Sequence, residues 1–193
     1  MEKHTFMAVP LPERIQQRLF EYSARVQPEL PLKKWTGKGD YHITLAFLGT
    51  TSEQQVDALK RELGQQIQLH KPFQLKVDKP GVFGNISAPR VFWLGMESSE
   101  QLSFLQKDVA TTCRKTGFNI EKRPFRPHIT IGKRWSGAAE QVVSLKEIPE
   151  PALLDSLKWQ VDELILYEIQ PSRQPMYVPL HKFKLEHTPT NEC

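Results

Sequence analysis

The opening of the run HITLAFLG at residues 42–49 returns in HITIGKRW at residues 128–135. Each copy places His and Thr two positions apart with Ile between them. In a strand, residues i and i+2 share a face. His42 and Thr44 therefore point one way, and Ile43 and Leu45 the other. His128 and Thr130 likewise oppose Ile129 and Ile131. Each strand offers an imidazole and a hydroxyl side by side, backed by apolar residues. With 6 His and 11 Thr in the chain, chance supplies about 0.3 His-x-Thr triplets, so one copy carries no weight. Two copies sharing the middle Ile carry much more.

The interval between the copies (128 − 42 = 86) recurs elsewhere. Phe6 and Phe92 are separated by it, as are Phe73 and Trp159, each followed by Gln. Apolar periodicity fills in the rest. Strands are expected at His4–Val9, Tyr41–Leu48 (ended by Gly49), Phe73–Val77, Arg90–Met96, His128–Ile131, Trp159–Ile169 and Tyr177–Leu185. A helix opening at Pro12 presents Ile15, Leu19, Tyr22 and Val26. A second presents Val56, Leu59, Leu63 and Ile67, and Thr51 and Ser52 each offer a capping box with the Gln three residues on. A third presents Leu102, Leu105 and Val109 and stops at Gly117. PGVFGN at 80–85 reads as a turn-rich loop, Ala138–Leu145 as a weak helix, and HTPTNEC as a frayed tail.

Each half thus reads strand, helix, His-bearing strand, helix, strand. The fold class is α+β. It is expected to be one bilobal catalytic domain over residues 1–193, with an approximate repeat at 4–78 and 90–164 and a tail at 187–193.

Length and composition bound the function. At 193 residues the chain buries roughly two-thirds of its unfolded surface and needs no staples. Hydrophobic residues are 39% and charged residues 25%, which fits a globular protein rather than a disordered one. The longest stretch free of charged residues, Tyr41–Ser52, is too short for a membrane helix. The start MEKHTFMAVP lacks a signal-peptide pattern, and the two cysteines form no metal or disulfide motif. A cytoplasmic monomer, with no membrane role, is the expectation. The net charge of +4 leans mildly toward anionic partners.

Two imidazoles on opposing strands suit in-line displacement at phosphorus. One deprotonates the attacking oxygen and the other protonates the leaving oxygen, and an ordinary imidazole near pKa 6.5 serves either task. The two hydroxyls can hold non-bridging oxygens. Lys122, Arg123, Arg126, Lys133 and Arg134 fall in a stretch with no acid, and Lys33, Lys34 and Lys38 precede the first motif. Trp35, Tyr41, Phe83 and Phe125 interleave with these charges, the pattern of single-stranded nucleic-acid binding. Simple alternation turns Lys133 away from His128 unless a bulge at Gly132 re-aims it.

HITLAFLG and PHITIGK resemble the paired motifs of the two-histidine (2H) phosphoesterases, and most closely the RNA 2′,3′-cyclic phosphodiesterases, also called 2′-5′ RNA ligases. FMAVPLP, RVFWLGM and LYEIQPSRQPMYVPLHKF resemble the family's flanking strands and closing hairpin, so the likeness spans nearly the whole chain. The resemblance implies two pseudo-symmetric lobes, each an antiparallel sheet with helices on its outer side, flanking a central cleft. It implies His42 as proton donor, His128 as proton acceptor, and Thr44 and Thr130 on the phosphate. The family's Arg five residues after the second His is Lys133 here, which keeps the charge but not the bidentate fork. Arg134 is the alternative phosphate contact. The implied substrate is RNA with a 2′,3′-cyclic phosphate end, tRNA fragments included, and the implied product a 2′-phosphomonoester. No cofactor or metal is implied, and reversal of the reaction would ligate RNA 2′-5′. Three other readings stand beside this one. The same chemistry could act on small cyclic nucleotides or 2′-5′ oligonucleotides, the chain could bind RNA ends without catalysis, or the histidines could hold a metal.

Overall fold

The computed structural model describes residues 3–86, 88–137 and 157–186. Among them, nine strands and three α-helices follow in chain order. These are β1 Lys3–Pro10, α1 Glu13–Val26, β2 Leu32–Trp35, β3 His42–Thr51, α2 Glu53–Ile67, β4 Phe73–Asn85 and β5 Ala88–Met96, then α3 Glu100–Lys115, β6 His128–Trp135, β7 Lys158–Val161, β8 Glu163–Ile169 and β9 Tyr177–Lys184. A 3₁₀ turn at Lys38–Asp40 leads into β3. The weak helix expected at 138–145 and the tail at 187–193 lie outside the described residues.

The three helices bury the faces that their periodicity predicts, among them Ile15, Leu19, Tyr22 and Val26 of α1 and Val56, Leu59, Leu63 and Ile67 of α2. Ser52 caps α2: its hydroxyl accepts from the Gln55 amide, and the Gln55 side chain accepts from the Ser52 amide. Thr51 is not the cap. Its buried hydroxyl instead bonds Thr5 Oγ1 at 2.7 Å and donates to the Gly49 carbonyl. Gly117 ends the helical turn after α3 at φ 89°.

The strands pair in the order β7-β4-β5-β6-β3-β1-β8-β9, with β2 added to β6. Every pairing is antiparallel. The closing strands cross over: β4, from the first half, pairs with β5, and β8, from the second, pairs with β1. At the centre, β3 and β6 meet at one residue pair, Ile43 opposite Ile129. Between β4 and β7, Gln74 lies opposite Gln160. Both pairs join a residue to the one 86 positions later. Antiparallel pairing of a segment with its own repeat is what a local twofold axis produces, so the sequence interval appears in the register itself.

Three expectations are corrected, and one strand is added. PGVFGN is not a loop but the outer half of β4, paired with β5 from Pro80 to Asn85. Gly81 serves packing, since a Cβ there would sit 2.3 Å from the Trp93 ring, while Gly84 at φ 96° takes up a register shift against β5. β3 does not end at Gly49 but continues to Thr51, because Gly49 at φ 70° absorbs a register shift against β1. The stretch Trp159–Ile169 is two strands, divided at Asp162, whose carbonyl accepts from the Leu185 amide. Finally, β2 (LKKW) is a strand that its sequence does not announce, being four residues long with two lysines at its centre.

Ile43 and Ile129 are both fully buried. Ile43→Ala and Ile129→Ala are each expected to cost about 2–5 kcal/mol of unfolding free energy. Since the residues are direct partners, the double variant should depart from additivity by at least about 0.5 kcal/mol. Urea unfolding of the four proteins checks this, and strict additivity would count against the central contact.

Candidate functional site

The site is built where β3 and β6 part on either side of Ile43 and Ile129. On the face opposite these isoleucines stand His42 with Thr44, and His128 with Thr130. Each imidazole is anchored in the same way. His42 Nδ1 donates to the Asp40 carbonyl at 2.8 Å, and His128 Nδ1 to the Arg126 carbonyl at 2.7 Å. A carbonyl oxygen only accepts, so the proton of each neutral ring sits on Nδ1 and the lone pair on Nε2. His42 Nε2 lies 3.0 Å from Thr44 Oγ1.

A cavity of about 190 Å³ opens here, with His42, Thr44, Thr130 and Lys133 on its wall. Lys133 reaches the wall because β6 bulges. Phe92 pairs with Gly132 but the next residue, Trp93, pairs with Thr130, so Ile131 is the extra residue. The bulge reverses the alternation that would have turned Lys133 away. Gly132 packs closely under β2: a Cβ there would sit 2.8 Å from Leu32 Cδ1 and 3.2 Å from the Trp35 ring, so Leu32 would have to move. His128 stands beside this wall, edge-on to Phe83 with centroids 4.9 Å apart, and 6.1 Å from Trp93. Arg134 is not brought to the wall. It is exposed, in a left-handed conformation at φ 66°.

Sequence reasoning missed the remaining wall residues. Thr36 and Asp40 add polar groups, while Phe6, Phe47 and Tyr177 add aromatic ones. Phe6 and Tyr177 pack on the His42 ring with centroids 4.8 and 4.9 Å away. The buried Asp40 carboxylate accepts from the amides of Met176 and Tyr177 at 2.9 and 3.2 Å. One residue thus aims His42 with its carbonyl and pins the β8–β9 loop with its side chain. A single Asp beside a His-x-Thr triplet carries no signal that would have found this. Of the interleaved aromatics, Tyr41 is core, whereas Phe83 contacts His128.

Burial dominates the electrostatics. It pushes the His42 pKa down from 6.5 to about 4 against the bond to the Asp40 carbonyl, with repulsion from His128 and Lys133 adding to the fall. His128 is lowered by the same desolvation. The Lys133 amine is lowered by burial and by the positive charges of Lys34 and Arg134. Both imidazoles are therefore neutral near pH 7 before a ligand enters. Such a site can accept protons at two Nε2 atoms and attract an anion that would restore charge to the rings. Among the described residues, no cluster of three or more His, Cys, Asp or Glu is placed to hold a metal ion, and no helix is long and apolar enough to cross a membrane.

Residues 5–173 match the model of the 2′-5′ RNA ligase superfamily. An RNA 2′,3′-cyclic phosphodiesterase of Geobacillus stearothermophilus is 35% identical over 96% of this chain, and the chain spans 58% of that protein's length. One from Bacillus subtilis is 31% identical over 94% of this chain and 96% of its own. Among solved structures, E. coli LigT complexed with 3′-AMP superposes with a TM-score of 0.81 at 28% identity, over 97% of this chain and 100% of that one.

The depressed His42 pKa fixes the sign of a stability effect. Between pH 6.5 and 4 the unfolded chain takes up the proton that the folded imidazole refuses, so stability is complete above pH 6.5 and falls as the pH drops toward 4. The loss is expected to reach up to about 3 kcal/mol. Urea unfolding at pH 7.5 and 4.5 should show His42→Gln losing less stability than the parent protein. Parallel losses would show that His42 is not the group responsible.

Proposed function

The chain belongs to the 2′-5′ RNA ligase superfamily, and from that premise we propose that it opens RNA 2′,3′-cyclic phosphate ends to 2′-phosphomonoesters. The observation that carries this reading is the matched anchoring of two imidazoles, each with Nδ1 tied to a carbonyl and Nε2 left for proton transfer, beside a cavity lined by two threonine hydroxyls. The relatives named as RNA 2′,3′-cyclic phosphodiesterases support it.

In the proposed reaction, water attacks phosphorus while His128 Nε2 removes its proton. The P–O3′ bond breaks in line, and protonated His42 gives its Nε2 proton to O3′. The products are a 2′-phosphate and a free 3′-hydroxyl. Thr44 and Thr130 donate hydrogen bonds to the non-bridging oxygens and the Lys133 ammonium balances the developing charge. With the Nε2 proton of His42 directed at O3′, the Thr44 hydroxyl, 3.0 Å from Nε2, keeps its own hydrogen for the phosphate. No metal takes part. With an RNA 5′-hydroxyl in place of water, the same bond changes would give a 2′-5′ linkage. The working unit in this reading is a single bilobal catalytic domain acting as a cytoplasmic monomer, on RNA ends that include tRNA fragments.

The test is a cyclic-ended RNA oligonucleotide incubated with the protein in excess EDTA, with the product resolved as 2′- or 3′-phosphate. Conversion to the 2′-phosphate is expected, and His42→Ala or His128→Ala should lower kcat by about 10² or more. Near-normal turnover in either variant would sink the mechanism, and a 3′-phosphate product would reverse which bond breaks.

The pH profile supplies a second check. Catalysis requires one ring protonated and the other neutral, yet both are lowered from 6.5 in the free protein. kcat/KM, which reports the free enzyme, should therefore fall as pH rises above about 6.5. The bound phosphate favours the protonated rings, so the kcat profile should be displaced toward alkaline pH. Superimposable kcat and kcat/KM profiles would contradict this coupling.

A further inference from the structure

A second cavity, of about 380 Å³, adjoins the first and shares Thr36, Asp40, Lys133 and Tyr177 with it. Its own walls come from β2, through Lys34 and Trp35, and from the β8–β9 loop, through Arg173. The charge arrangement on these walls is unfavourable for the protein alone. Lys34 and Lys133 are direct cross-strand partners between β2 and β6, and like charges placed opposite one another destabilise a sheet. Among the described residues, neither these lysines nor Arg173 forms an ion pair. The one acid on the wall, Asp40, is buried and its carboxylate is engaged by two loop amides. Those bonds also hold the loop in place as a preformed wall. Three cations therefore share one carboxylate, which attracts Lys34 and binds two amides through Oδ1, around a volume that shares its wall with the first cavity.

We propose that this cavity binds the next phosphodiester of the substrate strand, with Lys34 and Arg173 as its anion contacts and Lys133 shared between the two phosphates. The inference rests on the RNA-end reading above and deepens it: the subsite makes the protein prefer a polynucleotide end over a cyclic mononucleotide. Trp35, whose indole N–H is fixed to the Leu32 carbonyl at 3.1 Å, gives the strand a rigid apolar wall to lie against.

The test compares adenosine 2′,3′-cyclic phosphate, its 5′-phosphorylated form and a cyclic-ended RNA pentamer, using the parent protein, Lys34→Gln, Lys34→Arg and Arg173→Gln. Alongside, the Kd of a labelled pentamer ending in a 2′-phosphate is read by fluorescence anisotropy across a salt series. Lys34→Gln and Arg173→Gln should each weaken pentamer binding by about tenfold and reduce the slope of log Kd on log salt by about 0.7. On the cyclic mononucleotide, the kcat/KM of Arg173→Gln should stay within about twofold of the parent, while Lys34→Gln, which also removes the charge opposite Lys133, should lose less there than on the pentamer. Lys34→Arg should restore most of the pentamer affinity. Sensitivity of the 5′-phosphorylated mononucleotide equal to that of the pentamer would support the site with one phosphate as its sufficient ligand. Unchanged pentamer binding in both Gln variants would overturn the proposal, as would equal losses on all three substrates. If no substrate turns over but pentamer binding weakens in the variants, the subsite stands and the catalytic reading fails.

Discussion

A single residue pair, Ile43 against Ile129, joins the two His-bearing strands at the centre of the sheet. If β3 and β6 paired along their whole length, the two His-x-Thr faces would form a continuous closed surface. Instead they touch once and part. β6 gives the rest of that edge to β2, at Trp35 opposite Gly132 and Lys34 opposite Lys133. The space so opened is the cavity. Apolar burial on the isoleucine face therefore sets the separation of the polar groups on the other face. The two faces are one design because the side-chain period of a strand is two.

The same burial creates an electrostatic problem. Imidazoles set in an aromatic and apolar frame lose the charge that the proposed acid catalysis would require of one of them. The bonds from Nδ1 to the carbonyls of Asp40 and Arg126 favour the protonated form but do not outweigh desolvation. In the proposed reaction an anionic ligand would resolve this: a phosphate near the rings would supply the negative charge that the protein withholds and so favour their protonated forms. Lys133, itself partly desolvated and repelled by Lys34 and Arg134, is under the same bias. Positive charges crowded in this way favour an anionic ligand over water.

Much of this was legible in the sequence, for identifiable reasons. The His-x-Thr copies, the helix faces and the 86-residue interval are periodic features, and periodicity survives in one dimension. The register makes the interval literal, with Ile43 on Ile129 and Gln74 on Gln160. What escaped was set by packing between distant segments. PGVFGN looks like a turn until Trp93 is seen to fill the space where a Gly81 side chain would stand. The bulge that delivers Lys133 depends on pairing with β5, and the role of Asp40 depends on amides 136 and 137 residues away. β2 has no alternation of its own, and only the free edge of β6 makes it a strand.

The repeat also explains why its exceptions matter. Two identical motifs related by a local twofold cannot by themselves distinguish an acid from a base. The distinction must come from positions where the halves differ. Asp40 stands where the second half has Arg126, and Phe47 where it has Lys133, each pair separated by the same 86 residues. His42 is closed in by Phe6, Tyr177 and a loop tied to Asp40, while His128 meets Phe83 and Trp93 and stands among basic residues. In the proposed reaction the symmetric residues would supply the machinery of proton transfer. The asymmetric ones are where the choice of strand end and ring, and hence the direction of proton movement, would have to be made.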